Sequence, residues 1–393
     1  MADLDLAIDH EKIEALKEQR RQLWNYRRVD HIPVDVELYP HYLSDVYTAK
    51  RRFGESDVWF ECNVEAVQKS LELLPDDYIP WVGFLSRGSV GIPSMFGAEL
   101  QWGEDPHQDP FVEPVITEIE QVYELPEPNP HRDGIMPENL EWMREFARRF
   151  PRDVYIAPFD LEGPMALASM LLGALPFYTA LKKHPKEIHH LLDLTTRTLI
   201  SCEEAVIDAA GGTERLTSIN DHVLWQPENC KGALSDDTSA NVSPKMFEEF
   251  SIPYNNRIYQ RWGAGLIHNC GPNPSAGLYL HHDPPLRGYN CSYQYSKDDL
   301  DDLREALGPQ AQETLGYRGH LQALIGESGC TGEEMVEAFR DLMEHLAPDV
   351  YAIPSCYIEP SLWTDDEITQ LYWEMRKVSE EFASNMRWDD EPK

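Results

Sequence analysis

The stretch Ala264-Gly-Leu-Ile-His268-Asn-Cys270-Gly271 decides how this chain is read. A short apolar β-type run ends by delivering His268 and Cys270 two positions apart. Residues i and i+2 lie on one side of a strand, so the imidazole and the thiol converge. Gly271 then permits a tight turn. Imidazole nitrogen and thiolate sulfur are preferred zinc donors. Two donors do not complete a site. Cys356, in Ile353-Pro-Ser-Cys-Tyr357, is the expected third ligand. The competing reading makes His268 a packed, hydrogen-bonded histidine and Cys270 a small core residue.

Outward from this stretch, short β-rich runs alternate with helical patterns. Strands are predicted at 32–38, 78–84, 154–160, 264–268, 289–293, 314–320 and 350–355, with one more between Arg215 and Asp236. Apolar spacing of three and four predicts helices at 188–209, 298–307, 335–346 and 365–382. Thr331 with Glu334 three residues later fits a capping box before the third of these. Such alternation means parallel strands joined by crossover helices. Eight strands predict an α/β fold, a (β/α)8 TIM barrel with an N-terminal helical extension. A doubly wound sheet is the alternative. The extension occupies 1–30, the barrel 31–384, and a polar, frayed tail 385–393. Barrel chemistry sits at the C-terminal strand ends. His268 and Cys270 follow one strand, Cys291 lies in the next, His320 ends the one after, and Cys356 ends the last.

The 393 residues carry 34 Lys+Arg and 69 Asp+Glu, a formal charge of −35. That excludes a general nucleic-acid binder and docking on anionic lipid. It reads as a solvated acidic surface. The apolar run 165–181 is broken by Ser169, Gly173 and Pro176 and is shorter than the roughly 20 residues of a membrane span. The first 18 residues are polar and lack a secretory pattern. Seven cysteines are too few and too odd in number for a disulfide framework, which points to reduced thiols in a cytoplasmic protein.

Further candidates are the adjacent carboxylates Asp236 and Asp237. On an extended segment they point to opposite sides, so one of them faces a cleft, as a substrate-orienting group or general acid. The competing reading is an Asx-type turn ahead of Ser243-Pro244. His320 is a candidate base or a support for a metal ligand. Cys291 is assigned to packing. Glu162, before Gly163-Pro164, is expected to complement a helix dipole.

Leu161-Glu-Gly-Pro-Met-Ala-Leu-Ala-Ser-Met-Leu-Leu-Gly173 resembles a helix-opening motif of the uroporphyrinogen decarboxylase superfamily. So does the segment from Ser235-Asp-Asp-Thr-Ser239 through Ser251-Ile-Pro-Tyr254, followed by Arg257. His268-Asn-Cys-Gly271 comes next in the family's order. Gly319-His-Leu-Gln322 is similar to a Gly-Asn-Val-Asp segment, with His320 in place of the asparagine. The stretch from Ile353 to Ile368 resembles the last strand and its loop. The likeness covers roughly residues 80 to 380.

This resemblance implies a (β/α)8 barrel and one of two chemistries. One branch decarboxylates porphyrinogens without a metal. The other contains methyltransferases that work with corrinoid proteins, some holding zinc through His-x-Cys and a distant Cys. His268, Cys270 and Cys356 match that set in order. The Arg-Gln-Ala-Gly-Arg stretch of the heme-pathway branch is missing. The resemblance therefore implies a zinc-dependent methyltransferase. It would move a methyl group between a small substrate or thiol and a separate corrinoid protein, so that cobalamin arrives on a partner. The alternatives are a metal-free decarboxylase of a small or cyclic carboxylic acid, and a non-catalytic barrel that binds a corrinoid or redox protein. A homodimer is expected by analogy alone.

Overall fold

The computed structural model describes residues 6–38, 47–74, 76–84, 87–220, 224–326, 329–359 and 362–389. Among the described residues, and apart from a short antiparallel pair, Leu100–Gln101 with Phe111–Val112, eight strands in parallel pairing follow the chain around a curve. They are β1 (Asp35–Leu38), β2 (Trp81–Gly83), β3 (Tyr155–Ala157), β4 (Gly232–Ser235), β5 (Ala264–His268), β6 (Gly288–Ser292), β7 (His320–Gly326) and β8 (Ala352–Ile358). Six of them form one parallel sheet in the order β1-β8-β7-β6-β5-β4, and β2 pairs with β3. A parallel bridge between Ile156 and Leu216, and a 2.8 Å bond from Ile219 N–H to the Lys231 carbonyl, lead from β3 toward β4. Among the described residues no ladder joins β1 to β2. The architecture is thus an α/β fold with a curled parallel half-barrel, consistent with the expected (β/α)8 barrel.

Period-2 alternation sorts the strand residues into two layers. Leu266, Gly288 and His320 meet on the inner face, since a Cβ on Gly288 would touch the other two. Ile267, Tyr289, Leu321 and Ala323 join the large core beneath the helices. The two last long helices, Gly332–Leu346 and Asp365–Ala383, each open on a threonine capping box, Thr331 with Glu334 and Thr364 with Glu367.

The helix His10–Trp24 covers the strand-start end. The Trp24 ring packs 4.5 Å from that of His320, and its carbonyl accepts a 2.5 Å bond from Arg287. Arg21 pairs with Glu228 at 2.6 Å. The opposite, strand-exit end is left for chemistry.

Three expectations need correction. The strand predicted at 314–320 begins where it was expected to end. Gly316 takes φ 79°, a turn conformation, and the apolar alternation that makes the strand is Leu321, Ala323 and Ile325. His320 therefore opens β7. The tail is not frayed as far as Asp389. Met386 and Trp388 are buried, and Asp389 pairs with Arg318 at 2.6 Å. Residues 390–393 lie outside the described residues. β8 runs to Ile358 and not to 355, which changes the place of Cys356. The apolar run 165–181 forms two helices, Pro164–Leu172 and Ala174–Lys183, bent by 109°. Among the described residues no single helix is long and apolar enough to cross a membrane.

Candidate metal centre

β4 and β5 end side by side, with Ser235 paired to His268. Asp236 N–H then donates to the His268 carbonyl at 2.9 Å. The next residue, Asp237, is thereby set against the imidazole. Asp237, His268 and Cys270 each offer a ligand atom, all within 4.8 Å of one another. His268 Nε2 lies 3.4 Å from Cys270 Sγ and 3.7 Å from Asp237 Oδ1. Cys270 N–H donates to the same Asp237 oxygen at 2.7 Å, which fixes the carboxylate.

The His268 ring is oriented from the other side. Its Nδ1 hydrogen-bonds Asn290 Oδ1 on the neighbouring β6. An amide oxygen only accepts, so Nδ1 carries the proton and the Nε2 lone pair faces Cys270 and Asp237. The turn is built by Asn269 and Gly271. Asn269 Oδ1 accepts from Gly271 N–H at 2.8 Å. Gly271 sits at φ 116°, and a Cβ there would lie 2.7 Å from Ser296 Oγ.

The paired carboxylates separate as alternation requires. Asp236 turns to the helix Ile252–Trp262 and is fully buried. Its Oδ2 accepts from Ser251 Oγ at 2.5 Å and from Asn255 Nδ2 at 3.5 Å. Burial pushes its carboxyl up to about 6. Asp237 is the exposed one, and it stands beside His268.

The exit of β3 supplies two more acids. Asp160 is raised to about 6, mainly by burial, with the Asp237 charge adding and His268 opposing. Glu162 is raised well above the usual carboxylate range by burial and then by Asp160, Asp237 and Asp236. Glu162 takes φ 64°, rare for a residue with a side chain. Asn220 brackets it. Leu161 N–H donates to Asn220 Oδ1 at 2.8 Å, and Asn220 Nδ2 donates to the Glu162 carbonyl at 2.9 Å. Asp160 Oδ1 accepts from Glu162 N–H at 3.0 Å. The expected dipole role for Glu162 does not account for that arrangement. Asp160 escaped sequence reading. Its signal was an acid at a strand exit, in Phe159-Asp-Leu-Glu-Gly-Pro164.

Two expected site residues lie elsewhere. Cys356 pairs in register with Val36, and Ser355 with Asp35. Ser355 Oγ bonds Glu37 and reaches Asp35 at 3.4 Å, so that side is the inner face. Cys356 therefore points outward, into the large hydrophobic core. Burial, then Asp35 and Glu37, push its thiol upward, which disfavours the thiolate that a metal needs. His320 lies at the opposite, strand-start end of the sheet, stacked 5.2 Å from Tyr351, and burial lowers it to about 3. Cys291 is packed in the core.

Zinc fits the three donors that do converge. They offer one nitrogen, one sulfur and one carboxylate oxygen. Separations of 3.4 and 3.7 Å match the roughly 3.3–4 Å between neighbouring ligands of a tetrahedral ion.

An α/β fold with a curled parallel half-barrel and a polar cluster at its strand exits defines the class. Residues 85–223 match the family model described as uroporphyrinogen decarboxylase (URO-D). The match contains the Leu161–Gly173 motif. No curated protein matches. Among solved structures, the chain is similar to a methyltransferase from Methanosarcina mazei, with 19% identity and a TM-score of 0.64, covering 93% of this chain and 98% of that one. It is also similar to a B12-independent methionine synthase from Shewanella sp. W3-18-1, with 10% identity and a TM-score of 0.48, covering 90% and 98%. The first likeness shows the shared fold.

Proposed function

We propose that this chain is a zinc-dependent methyltransferase that moves a methyl group between a small substrate or thiol and a separate corrinoid protein. The observation that carries the reading is the convergence of His268 Nε2, Cys270 Sγ and Asp237 Oδ1 at the exits of two adjacent strands. These three residues would hold the ion. Zinc bound there supplies a Lewis acid and keeps a coordinated thiol deprotonated at neutral pH. Asn290 holds the His268 tautomer, and the Cys270 N–H holds Asp237. Asp160 and Glu162 lie where a proton can be kept or received beside the reacting group.

Elemental analysis tests the reading. About one zinc per chain is expected, lost in His268→Ala and Cys270→Ala. Methyl transfer from a methylated corrinoid protein should be lost in the same variants. A protein that binds no zinc would overturn the proposal.

A second reading, a metal-free decarboxylase, draws on one observation. Asp160 is raised to about 6 and Glu162 well above the usual carboxylate range, as a proton donor to a carbanion requires. Decarboxylation that survives chelation would favour it.

A further inference from the structure

Arg144, Arg148, Arg152 and Arg215 line a single groove of about 290 Å³. Its remaining wall includes Ala209, Ala210 and Gly211, where the helix Pro185–Ala210 ends. Arg152 lies just before β3, so the groove is at the strand-start end, away from the metal centre. No aspartate or glutamate lines it. In a chain of charge −35, four arginines gathered without an acid are an exception that needs a cause.

Helix ends explain only part of it. The helix Met136–Arg149 also ends here, and its exposed carbonyls favour cations. Arg215 meets that need. It is 4% exposed and donates to the Pro151 carbonyl at 3.0 Å and the Ala147 carbonyl at 3.5 Å. Arg144, Arg148 and Arg152 are exposed, and among the described residues no carboxylate lies within ion-pair distance of them. Three of the nearby acids are engaged elsewhere, while Glu214 adds its negative charge beside Arg215. Asp153 bonds His10 at 2.9 Å, and Glu145 and Asp57 pair with Arg149 at 2.8 and 3.2 Å. The cations feel one another: Arg215 is lowered first by burial and next by Arg152, with Tyr155, Asp153 and Glu214 opposing.

We infer that this groove binds a small phosphate-type oxyanion. Guanidinium groups present planar pairs of N–H donors that match phosphate oxygens bidentately. A doubly charged anion would relieve the repulsion among four like charges. The volume suits one or two phosphate groups and excludes a large ligand. The acidic surface elsewhere does not forbid this. At physiological salt the Debye length is about 8 Å, so an anion in the groove senses its arginines more than distant carboxylates.

Calorimetric titration of the full chain with inorganic phosphate and with pyrophosphate tests the site. One saturable site per chain is expected, with pyrophosphate binding more tightly. Arg148→Ala and Arg152→Ala, both at exposed positions, should each weaken it about tenfold. Arg340→Ala, an exposed arginine paired with Glu381, should leave it unchanged. The assignment is overturned if neither anion saturates at millimolar concentration. It is equally overturned if the Arg148→Ala/Arg152→Ala double variant binds as the parent does, because that would place the anion elsewhere, for instance on a bound metal.

Discussion

His268 donates from Nδ1 to Asn290, and that one bond turns its Nε2 toward Cys270 and Asp237. The site is thus oriented from three adjacent strands: the exit of β4 brings Asp237, that of β5 brings His268 and Cys270, and the middle of β6 brings Asn290. For the zinc site proposed above, the donor directions would exist before an ion arrives. That reduces the conformational entropy lost on binding.

Cys270→Ser and Cys356→Ser should part company. The first exchanges a thiolate ligand for a hydroxyl of much higher pKa, and zinc occupancy by elemental analysis should fall strongly. The second should keep zinc, because Cys356 faces the core. Its cost is to stability, about 1–3 kcal/mol, for burying a hydroxyl without a partner. Denaturant unfolding measures that loss. Zinc loss in Cys356→Ser with an intact fold would restore it as a ligand.

Asn290→Leu removes the bond to His268 Nδ1 without touching a ligand. Zinc affinity should drop about 10- to 100-fold, the usual consequence of losing such a support. Competition with a chelator of known affinity measures it. Circular dichroism should be unchanged, since Asn290 is only half-buried.

The readable parts of the site were those set by local geometry. His268 and Cys270 sit two apart on one strand, and the opposed faces of Asp236 and Asp237 follow from their adjacency. Only the structure shows which of those two meets the imidazole. His320 and Cys356 failed for related reasons. Taking Thr314-Leu-Gly-Tyr-Arg-Gly-His320 for a strand moved His320 to the wrong end of the barrel. Ending β8 early concealed that Cys356 lies in the strand on its outer face. A period of two makes one residue enough to exchange core for cleft. Asp160 was hidden because its significance rests on charges from β4 and β5, more than 70 residues away.

His320→Phe should spare zinc and lessen acid sensitivity. Folding lowers His320 from 6.5 to about 3, so between those values the unfolded chain binds a proton that the folded chain refuses. Its contribution to stability is therefore complete above about 6.5 and is lost as pH falls toward 3. Asp160 and Asp236 act oppositely, since their folded values near 6 favour the fold on acidification from 6 toward 4. The difference between variant and parent isolates the histidine. Plotted against pH from 7 to 4, the parent should lose more stability than the variant. Parallel curves would mean that His320 is protonated in the fold.

Glu162→Gly and Glu162→Gln separate backbone from charge. A side chain at φ 64° costs roughly 1–2 kcal/mol, and glycine gives back about half in chain entropy. Glycine should therefore raise stability by up to about 1 kcal/mol, measured by denaturant midpoint. Glutamine keeps the strained backbone and removes only the acid. Because folding raises the Glu162 carboxyl, the fold holds a proton that the unfolded chain releases above about 4.5. The parent thus loses stability as pH rises past that value. Both variants should gain on it as pH rises past about 4.5, with glycine ahead of glutamine by a constant margin. A strained acid kept at this position despite a stabilising alternative is the mark of a working group. Both variants should accordingly show reduced turnover while zinc content stays at the parent level. Full activity in the more stable Glu162→Gly protein would remove Glu162 from the site.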